Sequence, residues 1–297
     1  MSEANPEFLT VRELAELLRV KERKIYALAA SGEIPCSRAT GKLIFRRADV
    51  DAWVASRSSG TPVAGPAAER PLVLVGSHDP LLDWALRNSR CGLASFFDGS
   101  LDGIERLRKG VAVAAGIHIY DAGADDWNRR CVETELAGQP VVLLEWAWRD
   151  RGIIVAEGNP ANVAGLRDLA NLRFAPRQPE AGSQLLFETL TAREGIGAGG
   201  IRKIDDVARS EGDVAVAIAE DKADAGFGLE SIARQYRLGF VPLMRERYDI
   251  VVYRRAYFDA AFQAFMDFCR TDGFRARAAE LGGYDLSGFG QVHHNGP

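Results

Sequence analysis

The sequence predicts an α/β protein in two parts: a small, mostly helical head and a larger body of alternating strands and helices. Three observations lead there. A capping motif opens two short amphipathic stretches within residues 1–56. Residues 57–70 are rich in Gly, Pro and Ser, which is linker composition. From residue 71 onward, short apolar runs alternate with helical patterns, as in a mostly parallel sheet.

In the head, Thr10 and Glu13 have the spacing of a capping box, which predicts a helix from Val11. Leu14, Leu17 and Leu18 then recur on one face. A turn at Arg19-Val20 leads to a second helix over residues 21–30, with Ile25, Leu28 and Ala29 inward. Gly32 stops it and Pro35 keeps the following chain extended. Two short helices joined by a tight turn are the helix-turn-helix signature. The second helix is expected to carry Lys21, Glu22, Arg23, Lys24 and Tyr26 toward a major groove, with Lys21, Arg23, Lys24 and Tyr26 as the candidate DNA contacts. Residues 36–46 suggest a hairpin, or wing, turning at Thr40-Gly41-Lys42. Arg38, Lys42 and Arg46 on it are expected to meet the phosphate backbone. A last helix over residues 48–55 supplies Val50 and Trp53 to the core.

Charge supports a DNA face. Residues 19–47 hold eight Lys/Arg against Glu22 and Glu33, a balance of +6, while the rest of the chain balances at −10. A basic stripe on an acidic protein is the footprint of a phosphate-contacting surface.

These residues carry a resemblance. The runs L-T-V-x-E-L-A-E-L-L (9–18), I-Y (25–26), S-G-E-I-P (31–35) and F-R-R-x-D-V-D-A-W (45–53) resemble the excisionase/MerR-type winged helix-turn-helix head of bacterial regulators. The resemblance implies double-stranded operator DNA as partner, bound by a homodimer on a symmetric site. Two positions depart from it: Arg19 stands where Gly is usual, and Lys21 where Ser or Thr is usual. Both add positive charge where phosphate would lie.

The whole chain bounds the rest. At 297 residues there is room for about two or three domains. No apolar run reaches the roughly 18 residues that span a bilayer, and MSEANPEF lacks the apolar core of a signal peptide. Cys36, Cys91, Cys131 and Cys269 show no C-x-x-C spacing, so they are expected to be reduced thiols. A cytoplasmic, non-membrane protein is therefore expected.

The body opens with an apolar strand, residues 71–75, then Gly76-Ser77-His78-Asp79 and a helix begun by Pro80. The unit recurs as strand 92–97, turn 98–100 and helix 101–109, and again as strand 111–115, turn 116–118 and helix 127–136. Residues 141–146 and 152–156 suggest two strands linked through Arg149-Asp150-Arg151. A short helix (165–169), a strand (172–176), a loop (177–183) and a helix (184–194) follow. Residues 207–210 are expected to end a helix, and 213–220 to form another. A strand at 223–228 enters a helix at 229–236; strands 239–243 and 248–253 come next. Helices 258–271 and 273–281 close the fold, and the tail after Gly288 is expected to fray, His293-His294 with it.

Gly and Ser recur where strands hand over to helices, at Gly76-Ser77, Gly99-Ser100, Gly116 to His118, Gly182-Ser183 and Gly226 to Gly228. Ligands of open α/β sheets bind at such strand ends, where helix N-termini offer free N–H groups to anions. A single Ser before a helix is usually only a cap; several in one domain point to a site. Ser77, His78, Ser100, His118, Arg177, Gly182, Ser183 and Tyr248 are the candidate ligand residues. Asp224 would repel an anion, and is expected to cap a helix or orient Arg177. Catalytic motifs are missing: there is no G-x-S-x-G, H-E-x-x-H, P-loop or G-x-G-x-x-G. No catalytic or metal-ligating residues are assigned, no cofactor is expected, and an enzyme is not.

The body also resembles the periplasmic-binding-protein-like domain fused to bacterial regulators and to molybdenum-cofactor biosynthesis proteins. The pieces are V-G-S-H-D-P (75–80), F-x-G-S-L-x-G (97–103), A-A-G-I-H (114–118), R-Q-P (177–179), A-D-A-G-F-G-L-E (223–230) and E-R-Y-D (246–249). The resemblance implies two lobes around a cleft, about 71–156 with 244–297 and about 157–243. It also implies a small effector, with molybdate or tungstate leading. An organic acid or a pterin-linked molybdenum species is the alternative; an excisionase-like architectural, ligand-free DNA-binding protein is another class, and a cofactor-biosynthesis enzyme fragment a third. After R-Q-P the family tends to carry G-S-G-T-R, whereas here Glu180-Ala-Gly-Ser-Gln184 puts Gln184 where Arg is usual.

Overall fold

The computed structural model describes residues 7–38, 41–56, 69–179, 181–197 and 199–297. It divides into two compact units, Met1–Ala68 and Glu69–Pro297. Most of the expected linker, 57–68, lies outside the described residues, but Arg70 belongs to the body. Its Nη1 donates to the Leu107 carbonyl at 2.6 Å, and its guanidinium stacks on Tyr253.

In the head, the capping box forms as the spacing predicts. Thr10 Oγ1 accepts from the Glu13 N–H, and Glu13 Oε2 accepts from the Thr10 N–H at 2.7 Å. Helix α1 (Val11–Leu17) follows. Arg19 takes the left-handed conformation, φ 52°, that glycine usually supplies, and α2 (Glu22–Ala30) starts after Lys21 with no side-chain cap. The turn thus keeps its geometry without either usual residue. The expected wing is altered: strand β2 (Ile44–Arg46) pairs with β1 (Phe8–Thr10), a strand not foreseen in the sequence. The hairpin partner contributes one antiparallel bridge, Ser37 to Ile44, and Thr40 at its tip lies outside the described residues. Helix α3 (Arg47–Ser56) closes a core of Leu9, Leu14, Ile25, Leu28, Ile34, Phe45 and Val50.

The body begins with β3 (Val73–Gly76), α4 (Pro80–Ser89), β4 (Ala94–Phe97), α5 (Ser100–Arg108) and β5 (Ala114–Ile117). A small ribbon, β6 (Tyr120–Asp121) with β7 (Asp126–Trp127), leads to α6 (Arg129–Glu135). Strand β8 (Val141–Val155) crosses to the second lobe, which holds β9 (Phe174–Ala175), α7 (Gly182–Arg193), α8 (Glu211–Ala219), β10 (Ala225–Leu229) and α9 (Glu230–Gln235). Strand β11 (Gly239–Tyr253) crosses back, followed by α10 (Arg254–Tyr257), α11 (Ala260–Cys269), α12 (Asp272–Leu281), β12 (Tyr284–Asp285) and β13 (Val292–Asn295). The sheet runs β4-β3-β5-β11-β8-β10-β9. β3 is parallel to both neighbours; β11 is antiparallel to β5 and β8.

Four expectations are corrected. The two strands expected at 141–156 are one 15-residue strand, and so are the two at 239–253. Arg149-Asp150-Arg151 suggested a link because it is charged; both arginines are instead buried and paired inside the strand. Residues 207–210 end no helix: Ala208 bridges Arg177, and Ser210 caps α8. The tail after Gly288 is ordered, with β13 paired to β8 and His293 Nε2 2.8 Å from Glu145 Oε2. Its pairing partner is remote in sequence, so local composition did not reveal it.

Candidate ligand cleft and nucleic-acid face

Glycine packing brings the first lobe's helices close to the strand ends. Gly76 has φ 104°, and a Cβ there would sit 2.2 Å from the Gly116 carbonyl oxygen. A Cβ at Gly103, on α5, would sit 2.5 Å from Gly76 Cα. Only glycines let α5 lie this near β3, and the N-terminus of α5 then opens beside Ser77.

A cavity of about 480 Å³ lies there. Ser77, His78, Asp98, Gly99 and His118 line it from the first lobe. Arg177, Gln178, Gly182, Ser183, Arg209, Ser210 and Glu211 line it from the second, with Phe97, Leu229 and Ile232 as apolar wall. The N-terminal ends of α5, α7 and α8 all meet this space, through Gly99, Gly182-Ser183 and Ser210. Helix N-termini carry unsatisfied N–H groups and a partial positive charge, which favours anions.

Six of the eight candidate ligand residues line the cavity: Ser77, His78, His118, Arg177, Gly182 and Ser183. The other two stand behind its wall. Ser100 Oγ lies 2.8 Å from Ser77 Oγ and accepts the His118 N–H at 3.1 Å. Tyr248 is fully buried, and its hydroxyl donates to the Ser77 carbonyl at 2.5 Å. Both hold Ser77 and His118 in place rather than facing the main cavity. Asp224 neither caps a helix nor orients Arg177; it binds Arg173, whose N–H it accepts at 2.7 Å. Glu180 lies outside the described residues. Gln184 is buried, with Oε1 accepting the Arg177 N–H at 2.9 Å and Nε2 donating to Glu188 at 2.8 Å. It is spent on the loop, not on the cavity.

Below the cavity runs a chain of buried charges that sequence reasoning missed. Asp79 Oδ2 accepts from Arg149 Nη1 at 2.9 Å and from the Tyr284 hydroxyl at 2.7 Å, while Oδ1 accepts from the Leu82 N–H and from Trp146. Arg149 also reaches Glu246, and Arg151 joins Glu246 to Glu211, with Nη1 2.8 Å from Glu211 Oε1. Glu211 Oε2 accepts the Leu229 N–H at 3.1 Å. Burial works against the Glu246 carboxylate, but Arg149 and Arg151 outweigh it and hold its pKa well below the ordinary range. Burial lowers the pKa of Arg177, only partly offset by Glu211. Arg209, Ser210 and Glu211 were also missed; the S-x-x-D spacing of Ser210 and Asp213 could have marked the helix start that presents them.

On the head, Lys21, Arg23, Lys24, Arg38, Lys42 and Arg46 are all exposed, and Tyr26 is 53% exposed on α2. Ile25, Leu28 and Ala29 occupy the opposite, buried face of that helix. Arg46 Nε lies 3.9 Å from Glu7. Among the described residues no cluster of His, Cys, Asp or Glu could hold a metal ion, and no helix is long and apolar enough to cross a membrane.

The fold and cleft define a helix-turn-helix module joined to a two-lobed binding domain. The chain belongs to the PBP superfamily, whose domain model matches residues 84–270; the helix-turn-helix domain model matches residues 8–58. It is similar along nearly its whole length to YvgK of Bacillus subtilis (strain 168), with 25% identity over 299 residues, 95% of this chain and 96% of YvgK. A protein from the 5′ region of a ferredoxin 2Fe-2S gene of Clostridium pasteurianum is 34% identical over 80 residues, 27% of this chain and 71% of that protein. Two solved structures show the fold. One, from Clostridium perfringens, is described as a phosphate ABC transporter substrate-binding protein with bound phosphate. It has 13% identity and a TM-score of 0.52, covering 70% of this chain and 96% of its own. A mutant OxyR of Corynebacterium glutamicum with H2O2 bound has 13% identity and a TM-score of 0.50, covering 92% of this chain and 89% of its own. The two matched models are those of a helix-turn-helix domain and a PBP superfamily domain.

Proposed function

We propose that the chain is a one-component transcription regulator of the cytoplasm. Its head binds double-stranded operator DNA as part of a homodimer. Lys21, Arg23, Lys24 and Tyr26 face the groove, and Arg38, Lys42 and Arg46 the backbone. Its body senses a small oxyanion, molybdate or tungstate first. The carrying observation is the meeting of three helix N-termini with Ser77, Arg177 and Arg209 in one cavity. Such a site supplies many donors and little net charge, as Glu211 and Asp98 offset the two arginines. A tetrahedral dianion offers four acceptor oxygens to donors of this kind.

A second reading rests on the apolar wall. Phe97, Leu229 and Ile232 line a cavity of about 480 Å³, within the ~300–1,000 Å³ of sites for organic ligands. An organic acid would use both the donors and that wall.

A thermal-shift series on the full chain decides between them, with molybdate, tungstate, sulfate, phosphate and a set of small carboxylic acids. At a hundredfold excess over Kd, a true effector stabilises by about 2.7 kcal/mol. Molybdate or tungstate is expected to raise Tm well beyond sulfate. A melting temperature unmoved by every oxyanion and raised by an organic acid replaces the first reading with the second.

A further inference from the structure

His118 stands where Glu246, in the buried charge chain, comes up against the cavity. Strand β5 delivers it, and its ring stacks on Tyr248 with centroids 6.0 Å apart. Its Nδ1 lies 3.2 Å from Glu246 Oε2, close enough to feel that charge but not aligned for a hydrogen bond. An ionised carboxylate only accepts, so the proton of a neutral imidazole belongs on Nδ1. The opposite edge of the ring faces the start of α7. A Cβ at Gly182 would sit 3.2 Å from His118 Cε1 and 3.6 Å from Nε2. In that tautomer Nε2 shows a lone pair beside the helix end where an anion's oxygens would rest. Lone pair against oxygen repels; an N–H there would donate a charge-assisted bond.

We propose that His118 takes up one proton at Nε2 when a fully ionised anion binds beside it, so that effector binding is coupled to proton uptake. The proposal rests on the oxyanion reading of the cleft. The proton comes from solvent; the product is an imidazolium held between Glu246 and the anion. The surrounding groups set the balance. Burial opposes the charged ring most, Arg149 and Arg151 on β8 oppose it further, and Glu246 on β11 favours it. Ser100 on α5 only accepts the His118 N–H, and Tyr248 on β11 stays neutral, its pKa pushed up by burial. Arg177 and Glu211 line the same cavity with opposite charges, and the positive end of α7 lies against Nε2. A bound dianion adds the negative charge that this balance lacks.

Two measurements test it. The chain has four histidines, so ¹⁵N spectra of the full-length protein assign the His118 ring against a His118→Gln variant. At pH 7 without added anion, a neutral ring with its proton on Nδ1 is expected; an imidazolium, or a proton on Nε2, overturns the proposal. Calorimetric titration with molybdate in PIPES and in Tris then counts protons. Close to one proton per molybdate is expected near pH 8, with affinity rising about tenfold per unit fall in pH. The His118→Gln variant, whose amide donates without a proton, is expected to bind with neither the uptake nor the pH slope. Molybdate binding without uptake, or equal uptake in the variant, overturns the proposal. If molybdate, tungstate, sulfate and phosphate all fail to bind, the oxyanion reading falls and the coupled uptake falls with it, while the ring spectrum still decides the His118 tautomer.

Discussion

Arg151 on β8 meets Glu246 on β11 twice, through a hydrogen bond from Nη2 to Oε1 and an ion-pair contact between Nε and Oε2, each 2.7 Å long. Both side chains have no exposed surface. The pair sits where the two long strands pass from one lobe to the other. It therefore ties the floor of the cleft to the only two strands shared by both lobes among the described residues.

Glu246→Gln leaves Arg149 and Arg151 buried without the carboxylate they share. Removing one member of a buried ion network costs about 3–5 kcal/mol, and urea unfolding of the body is expected to show a loss of that size. Glu211→Gln, whose side chain keeps 14% exposure, is expected to cost clearly less. Equal losses would deny Glu246 its central place.

Asp249 behaves oppositely with pH. Burial raises its pKa from 3.8 to about 6, against the pull of Arg247 and Asn128. The folded state thus holds this proton more tightly than the unfolded chain. Its stabilising contribution is full below about pH 3.8 and fades as pH rises through about 6. The stability of the native protein relative to Asp249→Asn is expected to fall by about 2–3 kcal/mol between pH 4 and pH 7. Denaturant midpoints of the two proteins that run parallel across that range would contradict the assignment.

Ser77 and Ser100 separate by role. Ser100→Ala strips the buried His118 N–H of its acceptor, a loss of about 1–3 kcal/mol in stability. Ser77→Ala is expected to weaken effector affinity while moving Tm little in the absence of effector. Paired thermal melts and ligand titrations check both; a stable Ser100→Ala protein with lost affinity would place that hydroxyl in the cavity.

On the head, Lys42→Ala is expected to weaken binding to all duplexes alike and to flatten the salt slope by about one unit. Arg23→Ala is expected to cost about 1–3 kcal/mol at the preferred site only. Filter binding at several salt concentrations on specific and random duplexes separates the two. Identical profiles for both variants would remove the division between groove and backbone.

Local signals carried the parts of the fold that local forces make. The Thr10–Glu13 box, the Pro80 helix start and the strand-to-helix glycines could be read directly, and the last pointed to Ser77, Gly99, His118, Gly182 and Ser183 of the cavity wall. What stayed hidden depends on remote partners. Arg149 and Arg151 look like a polar link until Asp79, Glu246 and Glu211 are known to surround them. Tyr248 looks like a cleft donor until Ser77 is seen to take its hydroxyl. β1 and β13 find their partners far along the chain, where periodicity has no reach.

The central claim is that occupancy of the cleft is felt at the DNA. Fluorescence anisotropy measures it on the full chain, using a duplex selected by binding from random sequence, with and without saturating molybdate. A change in DNA affinity of at least about fivefold is expected, the lower end of ordinary allosteric coupling, and its loss in Arg177→Met. Molybdate that raises the melting temperature yet leaves DNA affinity unchanged would contradict the account.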